Sequence, residues 1–272
     1  MRKIKAAMQG SPASFHEKAA RTFLSDEVES VYCRSFRSSC EKVKNGEADF
    51  CVMAIGNSIA GAILTNYDLI REYNLHITGE QYLRIELHLM VLNGSRMEDI
   101  EQIHSHPVAI QQSEKFLLQF PEKKIMALND TAECARNVTA NNLSKVAVIA
   151  GEECAETYGM TIISRNIESK KKNYTRFLIL SGSPDTDKLA NKATVSFKLK
   201  KKQSNLESVT KIFAGNDLKV TTIHSLQDID SPARFYVDLE FAKHKKFRKS
   251  IDQLQKKTSF FSLHGTYRRA TI

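Results

Sequence analysis

The chain has 272 residues, 42 % of them hydrophobic, with 40 Lys and Arg against 31 Asp and Glu for a formal net charge of +9. That composition excludes a disordered chain or a fibre, and at this length one large or two medium domains are expected. The longest apolar runs, such as Phe50 to Ile55, fall far short of the ~18 residues that span a bilayer, and MRKIKAAMQG lacks the apolar stretch of a secretory signal. No membrane partner is therefore expected. The five cysteines, at 33, 40, 51, 134 and 154, form no C-x-x-C pair and read as reduced thiols of a cytoplasmic protein, with neither a disulfide framework nor a zinc site.

In chain order, strands are expected at Ile4–Met8, Ser30–Cys33, Phe50–Ile55, Leu83–Leu92, Glu101–His104, Lys124–Leu128, Val146–Ile149, Met160–Ser164 and Arg176–Leu180. Helices are expected at Phe15–Leu24, Arg37–Asn45, Ser58–Tyr73, Val108–Phe120, Ala132–Ala140 and Glu152–Tyr158. The alternation predicts an α/β architecture with largely parallel strands. Ser181 to Asp187 is turn-forming and free of apolar side chains, the composition of a linker. The whole charge excess lies beyond it, because residues 193–272 hold 16 basic and 7 acidic residues. Lys200–Lys202 and Lys243–Lys249 lack interleaved aromatics and any reading motif, so a solvated basic face is expected and no nucleic-acid partner.

The strand-to-helix junctions carry more information. Ser14-x-x-Glu17 has capping-box spacing, a helix is expected to open at Gly56-Asn57-Ser58, Pro107 follows Ser105-His106, and Asn129-Asp130-Thr131 opens another helix. Four helix starts decorated with hydroxyl and amide groups at one sheet edge describe a cleft for a small, multiply anionic ligand. There is no G-x-G-x-x-G and no P-loop, which argues against a nucleotide.

Asn173-Tyr174-Thr175-Arg176-Phe177 completes a longer series of motifs. The series comprises Ser14-Phe15-His16-Glu17, Gly46-Glu47-Ala48-Asp49, Asn57-Ser58-Ile59-x-Gly61, Ser105-His106-Pro107, Thr131-Ala132-Glu133 and Glu152-x-x-Ala155-Glu156-x-Tyr158-Gly159. Their order and intervals resemble the prephenate dehydratase family through almost the whole chain. The resemblance implies a catalytic domain over residues 1–181, made of two α/β lobes like a type 2 periplasmic binding protein with the site between them. It also implies a linker at 182–192 and an ACT regulatory domain at 193–272. That last segment independently reads β-α-β-β-α-β, with strands Thr194–Leu199, Lys219–Leu226, Arg234–Phe241 and Phe260–Tyr267 and helices Leu206–Ala214 and Phe247–Lys256.

The implied reaction converts prephenate to phenylpyruvate in L-phenylalanine biosynthesis, losing water and carbon dioxide, with no metal or organic cofactor. By the resemblance Thr175 assists departure of the ring hydroxyl through a positioned hydrogen bond. Arg176, a permanently charged fork, takes a substrate carboxylate, with an internal ion pair as its rival role. Phe177 faces the ring or joins the core. Asn57, Ser58, Ser105, Thr131 and Ser14 supply neutral donors, and His106 adds a further hydrogen-bonding group or a structural contact. Family members usually carry glutamate where this chain has Gly56, serine at Ala62 and Gly151, and glycine at Ala13. A catalytically impaired homologue that binds and senses a small molecule is therefore the competing reading. In the regulatory segment Ser204, Asn205, Leu206, His224 and Ser225 are the effector-site candidates, with L-phenylalanine as the expected effector. Asn205 stands where such sites usually have glycine. A homodimer or homotetramer is expected.

Overall fold

The computed structural model describes residues 2–185, 187–200, 205–228 and 231–271. A first mixed sheet has the order β2 (Glu29–Cys33), β1 (Lys5–Gln9), β3 (Phe50–Asn57), β11 (Tyr174–Ser181), β5 (His76–Arg84), with β4 (Gly61–Ala62) added to β3. Helices α1 (Phe15–Phe23), α2 (Phe36–Lys44) and α3 (Leu64–Glu72) pack on it. A second sheet has the order β10 (Met160–Ser164), β6 (His88–Leu92), β9 (Val146–Ala150), β7 (Gln102–Ser105), β8 (Lys124–Ala127). Helices α4 (Pro107–Gln112), α5 (Glu114–Leu117), α6 (Thr131–Ala140) and α7 (Glu152–Tyr158) belong to this second lobe. The third sheet, β13 (Lys219–Asp228), β14 (Ser231–Glu240), β12 (Lys192–Leu199), β15 (Thr258–Tyr267), carries α8 (Leu206–Gly215) and α9 (His244–Lys257), giving the expected β-α-β-β-α-β order. The two-lobed α/β body followed by a C-terminal α/β unit is the expected fold class. Among the described residues no helix is long and apolar enough to cross a membrane.

The central strands of the first sheet are buried on both faces, which is why they read as unbroken apolar runs. On one face Ala6, Met8, Val52, Ala54, Phe177 and Ile179 share a core; on the other Ala7, Cys51, Met53, Ile55, Leu178 and Leu180 share a second, which includes Tyr236 and Tyr267 of the C-terminal unit. Alternation along β11 therefore sends Thr175 and Phe177 one way and Arg176 the other. The C-terminal sheet lays its helices over Val195, Phe197, Phe213, Val237, Leu239 and Leu254, and turns its opposite face to the first lobe. At Gly265 a β-carbon would lie 2.1 Å from the carbonyl oxygen of Ile77, so only glycine admits this approach of β15 to β5.

Four expectations are corrected. The strands are mixed rather than largely parallel: β11 runs antiparallel to β3 and β5, and β6 antiparallel to β9 and β10. The expected strand Leu83–Leu92 is cut where the chain crosses between lobes: Ile85 donates to the Asn173 carbonyl at 2.8 Å and Leu87 to the Glu168 carboxylate at 3.1 Å. No helix opens at Ser58. The Asn57 carboxamide oxygen accepts from Ile59 and Ala60 N–H, folding the chain into a hairpin, and α3 begins only at Leu64. The expected helix Val108–Phe120 divides at Ser113. The strand His76–Arg84 was not anticipated; Gly79 and Glu80 interrupt its apolar pattern.

Candidate active site

A cleft of about 540 Å³ opens between the lobes, where the starts of α1, α2, α4 and α6 converge. Its wall includes Ser14 and His16, Arg34 to Phe36, Gly56 and Asn57, His106, Val108, Gln112, Asp130 and Thr131, and Thr175 and Phe177. Each helix start has a sequence-encoded cap. The Ser14 hydroxyl accepts from Glu17 N–H at 3.3 Å, Ser35 and Ser38 form a reciprocal box, His106 Nδ1 accepts from Val108 N–H at 3.2 Å, and Asp130 accepts from Glu133 N–H at 2.7 Å. The Glu17 carboxylate reaches one residue further back than a standard box, to Ala13 N–H at 2.7 Å.

A fully engaged amide cluster forms the floor. Asn57 Nδ2 donates to Asn173 Oδ1 at 2.7 Å and to Thr175 Oγ1 at 3.0 Å; Gln112 Nε2 donates to Asn57 Oδ1 at 3.2 Å, and Asn173 Nδ2 to Gln112 Oε1 at 2.8 Å. The cluster joins the first lobe, the crossover and the second lobe. Its chemical consequence falls on Thr175, whose oxygen accepts from Asn57 while its own O–H proton stays available to the cleft.

Phe177 is buried and meets His16 edge-on at 5.1 Å between ring centroids, while the Phe36 ring, tilted, lies 5.4 Å from His16. His16 Nε2 accepts from Ala54 N–H at 3.3 Å, which leaves the ring proton on Nδ1. Burial pushes its pKa down to about 4, so the imidazole is neutral at physiological pH. Burial also lowers His106, partly offset by Asp130, and raises Asp130 itself. The result is a cleft rich in neutral hydrogen-bonding groups beside an apolar aromatic wall.

Ser14, Asn57, His106, Thr131, Thr175 and Phe177 thus all line the cleft. Three candidates do not. Arg176 turns away and is buried in a junction with the C-terminal unit. Its Nε donates to Glu80 at 2.7 Å, one Nη to Tyr267 Oη at 2.9 Å, and the other pairs with Asp238. Lys192 closes on Glu80 at 2.9 Å, and Thr194 bridges Asp238 at 2.6 Å and Tyr267 at 2.7 Å. The rival internal role therefore holds. Burial works against the Arg176 charge, yet Tyr267, Asp238 and Glu80 outweigh it and hold the guanidinium well above its ordinary pKa. Ser58 donates to the Lys172 carbonyl at 3.3 Å and accepts from Tyr174 N–H at 3.0 Å, pinning the start of β11. Ser105 is buried and donates to the Ile149 carbonyl at 2.6 Å.

Gly56 lies under the β3–β4 hairpin, where a β-carbon would come within 3.2 Å of the Gly61 carbonyl oxygen. Among the effector candidates, Ser204 falls outside the described residues. Asn205 caps α8 by accepting from Ser208 N–H at 2.8 Å, Leu206 packs on the C-terminal core, and His224 sits 6.0 Å from the Tyr67 ring of the first lobe. Ser225, the next residue of β13, points to the opposite face from His224. Sequence reasoning gave no role to Gln112, Asn173, His16 or Arg34. Gln112 follows Val108 and Ala109 at helical spacing, and His16 precedes Ala19 and Ala20 in the same way, so each is a polar residue on an apolar stripe.

Comparison with known proteins agrees with this architecture. Residues 6–185 match the family described as prephenate dehydratase. Arogenate dehydratase/prephenate dehydratase 2, chloroplastic, of Arabidopsis thaliana is 30 % identical over 280 residues, covering 97 % of this chain and 73 % of that protein. A solved structure described as GqqA, a novel type of quorum quenching acylase, is 26 % identical with a TM-score of 0.88, each chain being 98 % covered. Prephenate dehydratase from Arthrobacter aurescens, in complex with L-Phe, shares the fold with a TM-score of 0.87 at 21 % identity, covering 98 % of this chain and 90 % of that one. The chain belongs to the prephenate dehydratase family of lyases.

Proposed function

We propose that the chain catalyses decarboxylating dehydration of prephenate to phenylpyruvate, with Thr175 as the residue that assists departure of the hydroxyl. The observation that supports this reading is the Asn57–Thr175 contact, in which the threonine oxygen accepts and its own O–H proton is left for a ligand in the cleft. As the ring C–CO₂ bond breaks, its electron pair enters the ring and the hydroxyl opposite leaves; with one proton, hydroxide departs as water. Aromatisation supplies most of the driving force, so the protein has to orient a dianion and stabilise the charge that grows on the departing oxygen. A hydrogen bond that strengthens as that charge develops does this without requiring threonine to be a strong acid. Ser14, His106, Thr131 and the neutral His16 offer further polar groups around the substrate, and Phe177 and Phe36 face its ring.

Purified protein incubated with prephenate should generate phenylpyruvate, read as its absorbance in alkali. Arogenate, named in the Arabidopsis relative, forms a parallel arm that identifies the preferred substrate. A second reading, a binding protein with impaired catalysis, is favoured by Gly56: the site lacks a side chain there and the hairpin crowds the position. Prephenate binding without turnover would select it. The likeness to the acylase structure makes acylase activity a useful third assay.

The division into residues 1–181, 182–192 and 193–272 remains our proposal for the domains. In this scheme the C-terminal unit is an ACT domain responding to L-phenylalanine near Asn205, Leu206, His224 and Ser225, in a cytoplasmic homodimer or homotetramer. Its βαββαβ order and the L-Phe complex of the Arthrobacter structure support that assignment. A phenylalanine titration that shifts neither rate nor melting temperature would refute it.

A further inference from the structure

We propose that Arg34 binds a carboxylate of the dicarboxylate substrate and so sets the cleft's affinity for it. The proposal deepens the dehydratase reading and rests on it. With Arg176 enclosed in the junction, Arg34 is the one Lys or Arg among the described residues lining the cleft. It is exposed, and its side chain makes no hydrogen bond, ion pair or ring contact among the described residues. A guanidinium that is weakly hydrated, planar and bidentate, and that is left unengaged at the wall of a cleft, is suited to a carboxylate arriving from solution.

Its location is locally unfavourable. Arg34 immediately precedes Ser35, the cap of the nine-residue α2, so its charge sits at the helix end that already repels cations. Residues that conflict with local preference are expected where function requires them. The rest of the wall supplies no competing cation. His16 is neutral, His106 spends Nδ1 on capping α4, and Asp130 on the facing lobe is an acid. Without Arg34 a dianion would meet neutral donors and one carboxyl group.

The test is steady-state kinetics with prephenate on wild type, Arg34→Lys and Arg34→Met, with direct binding of prephenate measured in parallel. Arg34→Met should raise KM roughly ten- to hundredfold while lowering kcat far less, as expected for a charge-assisted contact made in both ground and transition states. Arg34→Lys should fall between, because lysine keeps the charge and loses the fork. Added salt should raise KM of the wild type much more than that of Arg34→Met. Because Arg34 has no partner among the described residues and its charge opposes the α2 dipole, the melting temperature of Arg34→Met should not fall below that of wild type. A KM for Arg34→Met within twofold of wild type overturns the proposal. Prephenate bound but not turned over by wild type, and not bound by Arg34→Met, would leave the Arg34 contact standing and remove the dehydratase reading. Wild type that neither binds nor converts prephenate overturns both.

Discussion

The two faces of β11 solve opposite electrostatic problems within three consecutive residues. On one face Thr175 and Phe177 border an open cleft whose polar groups are nearly all neutral. On the other, Arg176, Lys192, Glu80 and Asp238 form a closed network in which two positive and two negative charges pair with one another. Buried charges demand complete pairing, because an unmatched ion there is costly. A binding cleft demands the reverse, since its groups must keep a donor or acceptor for a ligand, as the Thr175 hydroxyl does. Adjacent residues of one strand can meet both demands because alternate side chains leave on opposite faces.

Breaking the closed face should have the largest effect on stability. Arg176→Met strands Asp238 and loosens Glu80, and should lower unfolding free energy by about 3 kcal/mol or more in denaturant titrations. Turnover per folded molecule should fall much less than in Thr175 variants. Asp238→Asn should act in the same direction; equal stability of both variants and wild type would mean that the network is not what joins the units.

Acid should weaken the same junction. His264 is 4 % exposed and bonded to Ser196 at 2.8 Å; burial first, then Arg71, Arg234 and His76, press its pKa down to about 4, while Asp238 acts the other way. An unfolded histidine, near 6.5, takes up its proton first as pH falls. The stability it contributes is therefore complete above about pH 6.5 and is lost toward pH 4, by about 3 kcal/mol. Denaturation curves at several pH values should show this slope on top of one of the same sign from His16, and His264→Gln should reduce the total without abolishing it. The smallest effect concerns Ala13, whose φ of 66° lies in the left-handed region. Ala13→Gly should raise stability by about 1 kcal/mol.

Much of this was legible in the sequence, and the failures have physical causes. Apolar runs such as Phe50 to Ile55 announce buried strands wherever they fall, and Ser14, His106 and Asp130 mark helix starts because capping is a local interaction. The fate of Ser58 depended on where Asn57 sent its carboxamide, which is set by Gln112 and by the backbone of residues 59 and 60. The fate of Arg176 depended on Asp238 and Tyr267, which are brought to it only by docking of the C-terminal sheet. Motif resemblance located the strand; it could not say which of two adjacent residues would face the cleft.

The most direct test is the prephenate turnover of Thr175→Val, which keeps the shape of threonine and removes its hydroxyl. The cleft-face assignment predicts that kcat falls by at least about a hundredfold while the melting temperature stays close to wild type. Turnover at the wild-type rate would contradict it.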